Sequence, residues 1–204
     1  HNWFNPKLKK KAKNDMINFM KMIATKWYQL HYQTIKKYDQ NHLILADKSM
    51  IDSYYSWLID PLKNYVDVVV IQSYNLFSKD AKITDWLYKK TGKPIFNGDG
   101  SFAFIRKEQK QLKVKGWWTE SKNIKDVALK YKLSLNNMMK KNYMIGWHHC
   151  GVLEQWDTAE RGDVSSNENG FMDPYENFHT DLTNVMSEIN SKAIELHKKS
   201  YRKK

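Results

Sequence analysis

One carboxylate stands out in this sequence because glycines lie on both sides of it. The stretch KPIFNGDGSF, residues 93–102, is a short apolar run led in by Pro94, and Asp99 follows it between Gly98 and Gly100. Glycine allows a sharp turn of the backbone or the close approach of a ligand. A buried parallel strand delivers a polar residue to the rim of a barrel in this way. We therefore predict that Asp99 belongs to a functional site and is a candidate catalytic carboxylate.

Polar residues also end the other apolar segments of the chain. Side chains alternate along a strand, so residues two positions apart share a face. The apolar segments are 42–47, 65–74, 93–99 and 143–150. By this rule their candidate site residues are, in that order, Asp47; Gln72 and Tyr74; Asn97 and Asp99; and Trp147 and His149. Ligands bind at the carboxyl ends of parallel strands, so the pattern predicts one shared site. Polar groups that end strands without any function are the alternative.

Other kinds of site are disfavoured by residue spacing. Adjacent strand residues face opposite sides, so His148, His149 and Cys150 cannot bind one metal ion together. The same geometry weakens a Cys/His nucleophile pair. The GDG triplet lacks the spacing of a phosphate-binding or dinucleotide-binding loop. We therefore expect no metal and no cofactor.

Strands alternate with helices along the sequence, as judged from the spacing of apolar residues. The predicted order is helix 8–38, strand 42–47, an aromatic segment 51–62 with a short helix, strand 65–74, helix 82–91 closed by Gly92, strand 93–99, loop 101–121, helix 124–141, strand 143–150, polar loop 154–178 and helix 181–199. This alternation predicts right-handed βαβ units and a parallel sheet, hence an α/β fold. Four such strands form half of an eight-stranded barrel or a small doubly wound sheet.

The composition is that of a globular protein with basic faces. Of 204 residues, 41% are hydrophobic and 14% aromatic, and no apolar run approaches the roughly 20 residues of a membrane helix. The formal charge of +12 comes from lysines spread along helical segments, so solvated basic faces are favoured over nucleic-acid binding. The lone Cys150 rules out an intrachain disulfide. Because the chain begins at His1, we expect a fragment or a processed piece.

Five segments together resemble the C-terminal half of β-agarase-like and β-galactosidase-like glycoside hydrolases, which are clan A (β/α)8 barrels. The segments are YDQNHLILADK (38–48), VDVVVIQSYN (66–75), KPIFNGDGSF (93–102), GWHHCGVLEQW (146–156) and SNENGFMDPYENFHTDL (166–182). The resemblance covers nearly the whole chain and identifies the broad group rather than one substrate. It implies that residues 1–204 are a partial TIM-barrel domain that contains strands 5–8 with their helices, without the N-terminal half.

The resemblance also implies a mechanism and residue roles. Retaining hydrolases of this clan use two carboxylates about 5 Å apart, an acid/base and a nucleophile. The acid/base ends the fourth strand, outside this chain. Asp99 takes the nucleophile's position at the end of the seventh strand, and Tyr74 matches the tyrosine that orients it. The residues implied to bind sugar are Asp47, Gln72, Asn97, Trp147, His149 and Glu154, with Trp117 and Trp118 on a loop that shapes the cleft.

The nucleophile position departs from the clan pattern. The clan usually has glutamate there, and the aspartate side chain is one methylene shorter, which matters because attack geometry tolerates only small errors. Gly98 and Gly100 would let the backbone move forward to compensate. Glu154 is a rival carboxylate, and Glu168 is expected to brace a loop.

The predicted function is hydrolysis of a poly- or oligosaccharide, with a galactan such as agarose as one candidate. The expected partner is this carbohydrate, with no nucleic acid and no membrane, and the resemblance favours a secreted or periplasmic protein. Two alternatives stay open: a non-catalytic relative that binds glycans, and a basic nucleic-acid-binding protein.

Overall fold

A computed structural model describes residues 10–104, 120–153, 170–173 and 175–201 of the chain. In chain order the elements are α1 (Lys10–Tyr38), β1 (Ser49–Met50), α2 (Ile59–Tyr65), β2 (Val69–Gln72), α3 (Phe77–Thr91), β3 (Ile95–Gly100), β4 (Ala103–Phe104), β5 (Glu120–Ser121), α4 (Ile124–Met138), β6 (Met144–His149) and α5 (Thr180–Tyr201). Two 3₁₀ turns, Ile51–Ser53 and Ser56–Leu58, precede α2. The alternation of strands and helices predicted from the sequence is confirmed.

Four strands form one parallel sheet in the order β1-β2-β3-β6, and β4 and β5 form a separate parallel pair. A helix crosses between each pair of neighbouring sheet strands: α2 between β1 and β2, α3 between β2 and β3, and α4 between β3 and β6. Parallel neighbours need such crossover connections. The predicted α/β class with a parallel sheet is therefore confirmed, and β1 and β6 are the outer strands of this sheet.

The hydrophobic core lies between the sheet and one layer of helices. The strand residues in it are Val69, Ile71, Ile95 and Met144, and the helices contribute Leu62, Leu87, Val127, Leu135 and Leu182 among others. Full burial of such a side chain stabilises the fold by about 1.5–3 kcal/mol. We call this side of the sheet the helix-covered face and the opposite side the open face.

Two helix ends carry local signals that the sequence displays. Gly92 follows α3 with a φ of 68°, and its N–H donates to the carbonyl oxygen of Tyr88. Glycine is favoured there because a left-handed conformation puts a side chain under strain. Asn123 precedes α4, and its side chain accepts a hydrogen bond from the N–H of Asp126 at 3.0 Å.

The helix α3 begins at Phe77, earlier than the predicted start at Lys82. The N–H of Phe77 donates to Oγ of Ser134 in α4 at 2.9 Å. Asp80, in the first turn, accepts hydrogen bonds from Ser73 and Asn75. Burial raises the pKa of this carboxyl, and the two hydrogen bonds only partly oppose that effect. The spacing of apolar residues does not reveal this start because tertiary contacts stabilise it.

The bounds predicted for the first two strands are wrong. Within the predicted strand 42–47, Leu45 forms an isolated parallel bridge with Val68, whereas β1 itself is Ser49–Met50. One extra residue between Leu45 and Ser49 interrupts the pairing with β2, which leaves an isolated bridge and a short strand. The second strand begins at Val69 because Tyr65 still belongs to α2, the short helix expected in this region.

Several predicted features lie outside the described residues. These are Trp117 and Trp118 of the long loop, and Glu154 and Glu168 of the polar loop. Within the described part of the chain, no helix has the length and apolarity to cross a membrane.

Candidate active site at the carboxyl ends of the strands

Asp99 lies buried near the carboxyl end of β3, and three donors meet at one of its oxygens. Its Oδ2 accepts hydrogen bonds from Nζ of Lys48 at 2.9 Å, Nε2 of Gln72 at 3.0 Å and OH of Tyr74 at 3.1 Å. Lys48 precedes β1, Gln72 ends β2 and Tyr74 follows β2. The structure therefore brings together Asp99, Gln72 and Tyr74, three of the residues predicted to share a site.

Further contacts join these polar groups to the end of β6. Nε2 of Gln72 also donates to OH of Tyr74 at 2.8 Å. The OH of Tyr74 lies 3.7 Å from Sγ of Cys150, and Cys150 makes a side-chain hydrogen bond to Asp99. We call Lys48, Gln72, Tyr74, Asp99 and Cys150 the carboxylate cluster.

The carboxylate cluster contains one ion pair, Lys48 with Asp99, and its other side chains are neutral. Burial acts to raise the pKa of Asp99, but the hydrogen bonds from Lys48, Cys150 and Tyr74 and the charge of Lys48 outweigh it, so this pKa lies below its ordinary value. Burial raises the pKa of the Tyr74 phenol and of the Cys150 thiol. At neutral pH Asp99 is therefore ionised, whereas the phenol and the thiol keep their protons.

An irregularity in β3 determines which face Asp99 occupies. Asn97 pairs with Ile71 of β2 and Asp99 pairs with Gln72, so Gly98 has no counterpart on β2. Paired residues of neighbouring strands point to the same side, which puts Asn97 on the helix-covered face and Asp99 on the open face. The prediction that Asn97 and Asp99 share a face is therefore wrong. Counting in twos along a strand does not detect a bulge.

Asn97 binds the protein backbone beside this bulge. Its Nδ2 donates to the carbonyl oxygen of Ser73, and its Oδ1 accepts from the N–H of Ser73, both at 3.3 Å. The residue is 1% exposed. Asn97 thus connects the end of β2 to β3, and its sugar-binding role stays a prediction.

The chain entering β1 contains a second irregularity. Leu45 pairs with Val68, and Ser49 pairs with Ile71. Between these two pairs the first segment is therefore one residue longer than the matching stretch of β2. An extra residue changes the phase of the side-chain alternation. Counting in twos from Leu45 consequently selects the wrong residue for the open face.

Lys48 contacts Asp99, whereas the predicted Asp47 does not appear in that cluster. Oδ2 of Asp47 accepts a hydrogen bond from Nε1 of Trp27 in α1 at 2.9 Å. A second hydrogen bond joins Asp47 to the hydroxyl of Tyr28, also in α1. Asp47 thus ties the first strand segment to α1, and its sugar-binding role stays a prediction.

Trp147 and His149 share a face, as predicted, but it is the helix-covered face. Trp147 pairs with Asn97 in the sheet and stacks on Phe102 with 5.9 Å between ring centroids. Trp147 and His149 both contact the ring of Tyr131 in α4, at centroid distances of 6.0 and 6.1 Å. These two rings therefore lie on the opposite face of the sheet from Asp99, because the bulge in β3 separates the faces of Asn97 and Asp99. Their sugar-binding role stays a prediction.

Sequence reasoning missed two members of the carboxylate cluster, Lys48 and Cys150. Gly146 pairs with Phe96 of β3, and Cys150 follows Gly146 by an even number of positions. The signal for Cys150 is therefore the alternation 146, 148, 150, whereas the prediction rests on the alternation 147, 149. Lys48 gave no comparable signal, because its register depends on the extra residue before β1.

Among the described residues, no group of three or more His, Cys, Asp or Glu side chains is placed to hold a metal ion.

No protein-family model matches this chain, and no curated protein matches it by sequence. Solved structures do match. An exo-β-agarase aligns over 93% of this chain and 25% of its own length, with a TM-score of 0.72 and 17% identity. The agarase AgWH50C aligns over 95% and 29%, with a TM-score of 0.74 and 14% identity. Xylanase 10B from Thermotoga petrophila, solved with xylobiose, aligns over 83% and 52%, with a TM-score of 0.55 and 11% identity.

At these identities the likeness concerns the fold alone. The described strands and helices have the fold of part of a (β/α)8 barrel, as in these solved structures, which confirms the predicted partial-barrel fold. It spans 25% of the exo-β-agarase and 29% of AgWH50C, which is less than a third of either protein.

Proposed function

We propose that this chain is the nucleophile-bearing part of a glycoside hydrolase that cleaves a poly- or oligosaccharide, with a galactan such as agarose as the first candidate. One observation supports this most directly. A buried carboxylate, Asp99, lies at the carboxyl end of a barrel strand, ionised and held by Tyr74 and Gln72. That is the end of the barrel where active sites are built. The likeness to agarases favours a galactan over other glycans.

In the proposed reaction Asp99 is the nucleophile. One of its carboxylate oxygens forms a bond to the anomeric carbon while the glycosidic C–O bond breaks. The leaving oxygen takes a proton from a second carboxyl group about 5 Å away, and a water molecule later hydrolyses the glycosyl ester. Tyr74 keeps Asp99 in position for the attack through its hydrogen bond of 3.1 Å.

The second carboxyl group belongs, in this proposal, to further barrel strands. Within the described residues the sheet ends at β1 and β6, and two apolar side chains are exposed there, Leu45 before β1 and Ile145 in β6. Open edges and exposed apolar side chains favour pairing with more strands, which a closed barrel supplies. Residues 1–204 then form one partial domain of a larger catalytic barrel.

The test uses the complete protein that contains this chain. It is incubated with agarose oligosaccharides and other galactans, and released reducing ends are measured. We expect Asp99→Asn to lower the rate by about a thousandfold or more, equivalent to about 4 kcal/mol of barrier. The matched control is Asp85→Asn, which removes a carboxylate that pairs with Lys141 away from the carboxylate cluster. Equal rates for Asp99→Asn and the wild type would rule out the proposed role.

A non-catalytic glycan-binding protein is the second candidate. The observation that favours it is the crowding of three donors on Oδ2 of a side chain shorter than the usual glutamate. An activated 2-fluoro-galactoside separates the two candidates. Hydrolysis predicts a covalent adduct on the Asp99 peptide in mass spectrometry, whereas the alternative predicts glycan binding without an adduct.

A further inference from the structure

Lys48 reaches Asp99 from across the sheet, and the proposed reaction gives it no role. Neighbouring strands lie about 4.8 Å apart, so two strand spacings amount to about 10 Å. Lys48 precedes β1 and Asp99 belongs to β3, with β2 between them. A long side chain on the open face is needed to cover that distance. Lys48 supplies it, with Nζ 2.9 Å from Oδ2 of Asp99.

The groups that face Asp99 come from every neighbouring strand segment. Lys48 arrives from the segment before β1, Gln72 and Tyr74 from β2 and its end, and Cys150 from the end of β6. Gln72 is a neutral amide, and the raised pKa values keep Tyr74 and Cys150 protonated. Among these described partners, Lys48 is the one that carries a positive charge.

This charge matters because Asp99 is desolvated. Its side chain is 9% exposed, whereas that of Lys48 is 49% exposed. Burial favours the protonated form of a carboxyl group, and a nearby cation favours the ionised form. A protonated carboxyl group cannot act as a nucleophile. The charge state of Asp99 therefore depends on a balance between its burial and the ammonium group of Lys48.

We propose that Lys48 is a positioning residue for Asp99: its ammonium group keeps the carboxylate ionised and, with Gln72 and Tyr74, anchors Oδ2 on the open face. The inference rests on the proposed function, since it explains how the proposed nucleophile is kept ready. Lys48 acts on Asp99 and not on the substrate.

The first test is a titration that requires no enzymatic activity. The full chain is labelled with carbon-13 at aspartate carboxyl groups, and the Asp99 signal is assigned by its loss in Asp99→Asn. We expect Lys48→Met to raise the titration midpoint of Asp99 by about one pH unit, because the cation is removed while burial remains. Lys48→Arg keeps the charge and should leave the midpoint within a few tenths of a unit.

The control for this titration is Lys141→Met, which removes an ion pair with Asp85 elsewhere on the surface. It should leave the midpoint of Asp99 unchanged. Folding of each variant is checked by circular dichroism, and Lys48→Gln replaces Lys48→Met if the latter does not fold. An Asp99 midpoint equal to that of the wild type in a folded, uncharged Lys48 variant would overturn the proposal.

The second test is the pH profile of kcat/KM on the complete protein. Lys48→Met should move the acid limb of the profile upward by the same amount as the titration midpoint, and Lys48→Arg should restore it. The two proposals fail separately. A shifted midpoint in a protein that hydrolyses no glycan would leave the role of Lys48 intact and remove the hydrolase. If the protein hydrolysed glycans but Lys48→Met shifted neither the Asp99 midpoint nor the acid limb, the hydrolase would stand and the role of Lys48 would be removed.

Discussion

Asp99 has its charge state and orientation fixed by side chains from three other segments of the chain. The sequence was sufficient to select Asp99, Gln72 and Tyr74, because each lies at the polar end of an apolar strand segment. It was insufficient for Lys48 and Cys150. Their membership in the carboxylate cluster depends on how strands pair, and pairing is a tertiary property that residue types alone do not encode.

We predict that Tyr74→Phe impairs catalysis more than stability. The change removes the hydroxyl that donates to Asp99 and accepts from Gln72. A net loss of about 0.5–1.5 kcal/mol in the free energy of unfolding is expected from one such hydrogen bond. We expect kcat to fall by about tenfold to a hundredfold, because a displaced carboxylate attacks poorly.

Tyr201→Phe is the matched control for this change. Its hydroxyl donates to the carbonyl oxygen of Asn142 at 2.9 Å, away from the carboxylate cluster. Urea unfolding and steady-state kinetics on both variants give the comparison. If Tyr201→Phe and Tyr74→Phe lowered kcat equally, Tyr74 would have no special part in orienting Asp99.

The glycines on both sides of Asp99 allow β2 and β3 to lie close together. The sequence suggested a sharp turn or the approach of a ligand, yet the described glycines with positive φ are Gly92 and Gly151. A Cβ atom on Gly98 would lie 2.6 Å from Cγ1 of Val70, and one on Gly100 would lie 2.3 Å from the carbonyl oxygen of Ser73. Both glycines therefore permit β2 to approach β3 closely beside the bulge.

Gly100→Ala should consequently destabilise the fold by about 3 kcal/mol, because the new methyl group overlaps a backbone atom that cannot move independently of β2. Gly92→Ala is the control, since nothing lies within 4 Å of its Cβ position and only the φ of 68° resists substitution. It should cost about 1–2 kcal/mol. Denaturant unfolding measures both, and equal losses would contradict the overlap at Gly100.

Helices were predicted more accurately than strands, for a physical reason visible in particular elements. The positions of α4 and α5 follow from apolar residues that recur along one face, and Gly92 and Asn123 are local signals at helix ends. The strand β1 is only two residues long, and its pairing depends on an extra residue before it. Periodicity within a segment predicts alternation but carries no information on its phase relative to a neighbour.

Among the residues that the structure describes, no further strand pairs with the outer edges of β1 and β6 in the four-stranded sheet. The order of strands and helices in the sequence predicts a parallel sheet of right-handed βαβ units, which fits half a barrel or a small doubly wound sheet. The resemblance to glycoside hydrolases is what favours the partial barrel. Unpaired edges with exposed apolar side chains promote association. Ile145 on β6 is such a side chain.

We therefore predict that the isolated chain self-associates and that Ile145→Lys shifts it toward the monomer, because a charge on an edge strand opposes pairing. Leu129→Lys, on the exposed surface of α4, is the control and should leave the association as in the wild type. Sedimentation velocity over a range of concentrations gives the measurement. A monomeric wild-type chain, or an equal effect of both substitutions, would contradict association through β6.

The unmatched residue at Gly98 means that the face of Asp99 depends on how β3 pairs with β2 and not only on the number of residues in β3. If residues 97–99 paired regularly with β2, Gly98 would lie opposite Gln72 and Asp99 would turn toward the helix-covered face, where an uncompensated charge is costly. Deletion of Gly98 would instead restore strict alternation and leave Asp99 opposite Gln72 on the open face. Two related chains could then differ in length by one position between Asn97 and Asp99 and still present the carboxylate at the same place. In alignments of such barrels, a single gap at this point marks the absence of a bulge rather than a change of site.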